Sequence, residues 1–228
     1  MSKTAKQDGK ATQPEPEKRE QYDMQGNLRS WGYFLGNIQV GEAETYHKNG
    51  QISEKQHYVD GKIEGLVIAY DNRGFKLSEI YYVAGKMHGE AVFYEKNRKK
   101  MLLHYNMGQP DGVMETFYPN GSRHMKQVYV NGYVEGKQLL LDSSGKVVRM
   151  ANFEKGLQQG ESVTYYPSGK VLKTEEFDMD LHHGRVVTYY ENGKPQQIEY
   201  YEKGLPAKPA EKFNMDGSVI KPTTEEEE

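Results

Sequence analysis

Gly184-Arg185-Val186-Val187-Thr188-Tyr189-Tyr190-Glu191-Asn192-Gly193-Lys194 is a β-branched and aromatic run that ends in Asn-Gly. Such residues suit a pleated surface. Asn-Gly between two such runs predicts a hairpin, because both residues tolerate the positive φ of a type I′ turn. The arrangement recurs along the chain. Aligned on their first glycine, the segments start at Gly41, Gly65, Gly89, Gly112, Gly136, Gly160 and Gly184, at spacings of 24, 24, 23, 24, 24 and 24. Five residues past each lie Tyr46, Tyr70, Tyr94, Phe117, Leu141, Tyr165 and Tyr189. Further on come Tyr58, Tyr82, Tyr105, Tyr129, Phe153, Phe177 and Tyr201, aromatic in every unit. A second glycine recurs at Gly50, Gly74, Gly121, Gly145, Gly169 and Gly193, and a third at Gly61, Gly85, Gly108, Gly132, Gly156 and Gly204. A fixed period of this length marks a repeat architecture.

Each unit holds two short extended runs and no helical periodicity, so the sequence predicts a row of β-hairpins. A two-residue turn at Asn49-Gly50 pairs residues whose numbers sum to 99, which sets Tyr58 opposite Gly41 and, in the last unit, Tyr201 opposite Gly184. A ring over a bare cross-strand glycine restores packing there. A wider loop, Asp60-Gly61-Lys62-Ile63-Glu64-Gly65, leads to the next unit. The expected fold is all-β: one elongated, single-layer, twisted antiparallel sheet of about seven full units. Partial units flank it, carried by Gly26-Asn27-Leu28, Phe34 and Gly36 at the start and by Phe213-Asn214-Met215-Asp216-Gly217 at the end. Terminal repeats are expected to be atypical. Residues 1–21 read as a disordered lead-in, 22–220 as the repeat domain and 221–228 as an acidic tail. Three departures predict local irregularity: the shortened tip Glu95-Lys96-Asn97-Arg98-Lys99-Lys100, Leu141 in an aromatic column, and Asp180 in place of a glycine.

Composition narrows the function. Isoleucine, leucine, valine and phenylalanine make up 43 of 228 residues, against 24 glycines and 18 tyrosines. A thick closed core is therefore not expected. With no cysteine, disulfide scaffolds, cysteine metal sites and cysteine nucleophiles drop out. No apolar run approaches the ~18 residues that span a bilayer as a helix, and the first residues lack the apolar segment of a signal peptide. Thirty basic against 33 acidic residues disfavour a sequence-independent nucleic-acid binder, whose affinity comes from neutralising phosphates. The expected address is cytoplasmic, with an exported chain as the alternative.

These columns resemble the bacterial variant of the MORN repeat, approximately G-x-x-x-x-Y-Y-x-N-G-K … Y-x-x-G-x-x-x-G. Gly160, Tyr165, Tyr166, Ser168-Gly169-Lys170, Phe177 and Gly184 carry the pattern, and Gly184, Tyr189, Tyr190, Asn192-Gly193-Lys194, Tyr201 and Gly204 carry it better. The resemblance covers residues 22–217 or so. It implies the hairpin fold and says little about function. Proteins with this variant are often labelled antitoxin components, and eukaryotic MORN proteins resemble scaffolds linked to membrane lipids.

Catalytic chemistry finds no support. Gly-Lys pairs recur, but none has the G-x-x-x-x-G-K-[ST] form by which a P-loop cradles phosphate, and no G-x-S-x-G elbow positions a serine. The histidines (His47, His57, His88, His104, His124, His182 and His183) are scattered, with His88 and His183 in one column but four units apart. No enzyme activity, cofactor or metal site is expected.

Two binding features stand out. Tyr118, Tyr166 and Tyr190 form an extra aromatic column, which reads either as packing against polar neighbours or as a ladder of anchors for a partner. The basic tip Lys96, Arg98, Lys99 and Lys100 reads as a solvated loop or as a contact for an acidic partner or anionic lipid headgroup. The leading expectation is a non-enzymatic protein-binding module, a scaffold or antitoxin-like inhibitor, whose partner is another protein. A peripheral lipid-associated module is the alternative. Pairing of two copies through sheet edges or tyrosine faces stays open, since edge strands invite association.

Overall fold

The computed structural model describes residues 14–221; the expectations for residues 1–13 and 222–228 lie outside the described residues. Twenty strands run from Glu17–Tyr22 to Val219–Ile220, and among the described residues there is no helix. Every pairing is antiparallel and joins strands that are neighbours in the chain or are separated only by a two-residue strand, giving one open sheet of tandem hairpins. The repeats begin earlier than the sequence suggested. Glu17–Tyr22, most of which falls in the segment read as a lead-in, pairs with Leu28–Leu35 and completes the first hairpin. Its residues look tail-like because the strand, on the open side of the sheet, is exposed throughout.

The first-column glycine faces the aromatic in all seven units: Gly41–Tyr58, Gly65–Tyr82, Gly89–Tyr105, Gly112–Tyr129, Gly136–Phe153, Gly160–Phe177 and Gly184–Tyr201. The expected reason is corrected. A Cβ built on Gly65, Gly89, Gly136 or Gly160 meets nothing within 4 Å, so no ring fills the place of the missing side chain. What the position demands is backbone conformation. Gly41 has φ +68° and sits in a bulge where Gly41 and Glu42 are skipped between the pairs Tyr33–Val40 and Gly32–Ala43. A side chain there costs about 1–2 kcal/mol, and bulges of this kind bend and twist a strand.

The two turn types are exchanged relative to expectation. At Asn49-Gly50 only Gly50 has positive φ (+81°), Gly50 N donates to His47 O at 3.0 Å, and His47 N donates to Gln51 O at 2.8 Å. This is a type I turn closed by a left-handed glycine, the three-residue hairpin loop. One further residue, Ser53, bulges out before Thr45 pairs Glu54. The longer loop and the bulge together restore the expected register. The tight two-residue turns lie at the other end of each hairpin. Asp60 and Gly61 have φ +49° and +76°, with Val59 paired to Lys62, a type I′ turn where the sequence suggested a wide loop.

The departures prove mild. Lys96 (φ +51°) and Asn97 (φ +61°) make a type I′ turn that absorbs the missing residue of the third unit. Met179 and Asp180 keep the same turn without a glycine, as aspartate can in the left-handed region. Leu141 pairs Val147 in the ordinary register.

With no second layer, burial arises between neighbouring strands within the sheet. The deepest residues are small: Ala91 and Ser162 are fully buried, and Ala43, Ala151, Val186 and Val187 nearly so. They sit in the strand centres, where every side chain has neighbours on both sides.

Candidate functional site

Glycine turns place two different edges on the sheet. Along the edge of three-residue loops, side chains reach from one unit to the next. The hydroxyls of Tyr118, Tyr166 and Tyr190 donate to the carbonyls of Leu141, Tyr189 and Phe213 at 2.9, 2.6 and 2.8 Å. His47 occupies the same column and contacts Tyr70 O through Nε2 at 2.8 Å. Asn49, Asn120 and Asn192 donate their amides to Asn72, Ser143 and Met215 carbonyls, and Lys146, Lys170 and Lys194 add ammonium contacts. Where the column holds aspartate, the side chain serves its own loop: Asp71 Oδ1 accepts from Arg73 N and Phe75 N, and Asp142 does the same for Ser144 and Lys146. The tyrosine column read as a partner ladder thus has a structural role. Its hydroxyls are occupied inside the protein.

Arg98, Lys99 and Lys100 belong to the strand Arg98–Asn106, and only Lys96 lies in the turn. The strand placement gives them neighbours that a loop would not. Arg98 approaches Pro119 O at 3.5 Å, Lys99 lies 6.0 Å over the Phe117 ring and Lys100 pairs with Glu95 at 3.5 Å. All four remain exposed. The regular aromatics (Tyr46, Tyr70, Tyr94, Phe117, Tyr165 and Tyr189 in one column, Tyr58, Tyr82, Tyr105, Tyr129, Phe153, Phe177 and Tyr201 in the other) are half-buried within the sheet. Burial, with a hydrogen bond to Glu79, pushes the Tyr94 hydroxyl up to about 12.

The opposite edge is tied backbone to backbone. Gly61 N donates to Gln39 O, Gly85 N to Ile63 O, Gly108 N to Met87 O, Gly132 N to Pro110 O, Gly156 N to Val134 O and Gly204 N to His182 O, at 2.7–2.9 Å. Each type I′ turn therefore rests on the one before. Glu64 and Glu135 strengthen the contact by accepting from Ala84 N and Lys155 N at 2.7 and 2.9 Å. This edge is held by direct backbone contact, the other by side-chain bridges.

On this edge the residue after one turn lies over the glycine of the next at Gly61, Gly85, Gly156 and Gly204. Tyr133 Cδ1 is 3.5 Å from where a Cβ on Gly156 would sit, and Leu181 Cδ2 is 3.3 Å from the same point on Gly204. The column reads Ile38, Lys62, Lys86, Gln109, Tyr133, Leu157, Leu181, Leu205. Its last four members are apolar and stay 60, 42, 48 and 71% exposed. Val130, paired with Tyr133, and Met179, in the turn before Leu181, are exposed with them. The result is a row of exposed apolar side chains, one per hairpin, along the C-terminal half of this edge. Sequence reasoning passed over it, although the signal was there: large apolar residues recur at a turn position where polar ones are ordinary.

A polar cluster is buried around Glu175. Burial alone would raise the Glu175 carboxyl, but hydrogen bonds from Lys173 Nζ at 2.8 Å and His182 Nε2 at 3.1 Å outweigh it and hold the group below its ordinary value. His182 is sandwiched between Phe177 and Tyr201, with centroids 4.5 and 5.0 Å away. Ser162, paired across from Glu175, is fully buried and accepts from Arg149 Nε at 3.2 Å. Among the described residues no group of three or more His, Asp or Glu is placed to hold a metal ion.

Comparison with known proteins agrees with this architecture. The family model described as a MORN repeat variant matches residues 39–60, 110–131, 158–179 and 183–203. No curated protein matches significantly. Among solved structures, a point mutant of S. aureus TarM in complex with fondaparinux, α-GlcNAc-glycerol and UDP is 14% identical over 47% of this chain and 19% of its own, with a TM-score of 0.23. Accessory secretory protein 1, 2 and 3 of Streptococcus pneumoniae is 17% identical over 58% of this chain and 21% of that one, TM-score 0.20. TcdB2-TccC3 is 11% identical over 89% and 17%, TM-score 0.23. The chain spans about a fifth of these chains' lengths, and at such scores the likeness bears on neither fold nor function. The four matched segments coincide with hairpins of the sheet, each a full period or more from the next: these hairpins are MORN-variant repeats.

Proposed function

We propose that this protein is a non-enzymatic binding module that holds another protein along its backbone-tied edge, through Tyr133, Leu157, Leu181 and Leu205. The observation that supports this reading is the exposure of that column. Apolar side chains set one per hairpin on a backbone-tied edge form a rigid strip, and contiguous exposed apolar surface marks interaction sites. Aromatic and aliphatic anchors held in place lose little entropy on binding. The strip suits a partner that presents a matching apolar row, whether the chain acts as a scaffold or as an antitoxin-like inhibitor of what it holds.

The test uses the repeat itself. Lys62 and Lys86 occupy the same column in earlier units, so L157K/L181K is compatible with the fold. Proteins retained from the native host by the immobilised chain, quantified by mass spectrometry, should lose one specific partner in L157K/L181K and keep it in the Tyr166→Phe control. Equal retention of every partner by both variants contradicts the proposal.

A further inference from the structure

The first two hairpins carry a groove of about 380 Å³ on one face of the sheet. Two adjacent cross-strand rows make it. Arg19, Gly32, Ala43 and Gln56 pair in series, and beside them Gln21, Ser30 and Thr45 do the same. Its floor is low because Gly32 has no side chain where the following units carry Gln56, Ile80 and Leu103. Gln39 lies across that floor, its Nε2 2.7 Å from where a Cβ on Gly32 would sit. Phe34 and Tyr58 stand among the lining residues.

The polar groups are mostly neutral and each has capacity left. Ser30 Oγ donates to Gln21 Oε1 at 3.2 Å and Tyr58 Oη to Gln56 Oε1 at 2.6 Å. Among the described residues the amide nitrogens of Gln21, Gln39 and Gln56 donate to nothing. The charged groups at the rim are engaged: Arg19 pairs with Glu17 at 3.2 Å and lies 4.9 Å over the Phe34 ring, and Glu44 pairs with Lys55 and accepts from Trp31 and Tyr46. We infer that this groove binds a neutral oligosaccharide. Sugar hydroxyls donate and accept at once, as the amides require, and the C–H face of a pyranose packs on the Tyr58 ring. An ionic ligand would find no unpaired charge. An extended peptide would find no free strand edge on the groove floor, where the backbone is committed to the sheet. The volume lies within the ~300–1,000 Å³ of small-molecule sites.

The full chain is titrated calorimetrically with cellohexaose, chitohexaose, maltohexaose and xylohexaose. At least one should give saturable binding, weakened tenfold or more in Gln56→Ile, a change the fold accepts because Ile80 fills the equivalent place. Gln39→Ala should weaken it as well. Saturation by none of the four, unchanged affinity in Gln56→Ile, or saturation only by heparin or by an uncharged polar peptide overturns the inference.

Discussion

The hydroxyl of Tyr166 donates to the backbone carbonyl of Tyr189, one repeat further on, at 2.6 Å. Tyr190 makes the same bond to Phe213 and Tyr118 to Leu141. The column that most resembled a row of partner anchors thus joins units together. In a single-layer sheet each unit must lean on its neighbours, because there is no second layer to bury anything against.

Removing one such hydroxyl should cost little and removing three should be visible. Tyr166→Phe leaves a carbonyl that water can reach, so the loss is about 1 kcal/mol or less. In the triple change at Tyr118, Tyr166 and Tyr190 the losses should add, since the sites lie in different units. Urea unfolding followed by circular dichroism measures it. A triple variant as stable as the parent contradicts the structural role.

Glycines of the first column should differ in a way the backbone alone does not dictate. Gly65 and Gly112 both have positive φ, but a Cβ on Gly65 meets nothing within 4 Å while one on Gly112 would lie 3.0 Å from His104 Cβ. Gly65→Ala should cost about 1–2 kcal/mol from conformation, and Gly112→Ala more. The ratio of their urea midpoints checks this; the reverse order would show that the ring opposite, not φ, governs the column.

Stability should fall at both ends of the pH range, for opposite reasons. Glu175 is held below its ordinary value in the fold, so its contribution is complete above the unfolded value of about 4.3 and is lost as pH drops through the folded one. Glu175→Gln should flatten the acid limb. Tyr94 is raised to about 12, so its neutral form favours the fold; that contribution is complete below about 10 and is lost as pH rises toward 12. Thermal melts from pH 3 to 11 of the parent, Glu175→Gln and Tyr94→Phe separate the two limbs.

The basic residues at the third tip bear on the lipid alternative. Lys99 lies over an aromatic ring, Lys100 is paired with an acid and Arg98 leans on a carbonyl, leaving only Lys96 without such a contact among the described residues. With a formal charge of −3 on the whole chain, the protein should not sediment with phosphatidylserine-containing vesicles. Sedimentation that disappears when Lys96, Arg98, Lys99 and Lys100 become glutamine would revive membrane association.

The period, the hairpins and the Gly41–Tyr58 register were legible in the sequence because glycine columns repeat wherever φ turns positive. The turn types were not. Asn-Gly reads alike whether Asn49 or only Gly50 is left-handed, and the bulge at Ser53 conceals the longer loop by restoring the count. Glu17–Tyr22 was passed over because an exposed edge strand carries no apolar alternation. The apolar column was hidden differently: Leu157 and Leu181 look like core residues when read along the chain, and only the stacking of turns brings them out at an edge.

The most direct test is amide hydrogen exchange at the type I′ turns. In a lone hairpin the second turn residue donates to nothing. Here Gly85, Gly108, Gly132, Gly156 and Gly204 donate to the preceding unit, and their amides should be protected to the degree of the flanking strands. Exchange of these amides at unprotected rates, with the strands themselves protected, would show that the turns do not stack and that the apolar column is not held in line.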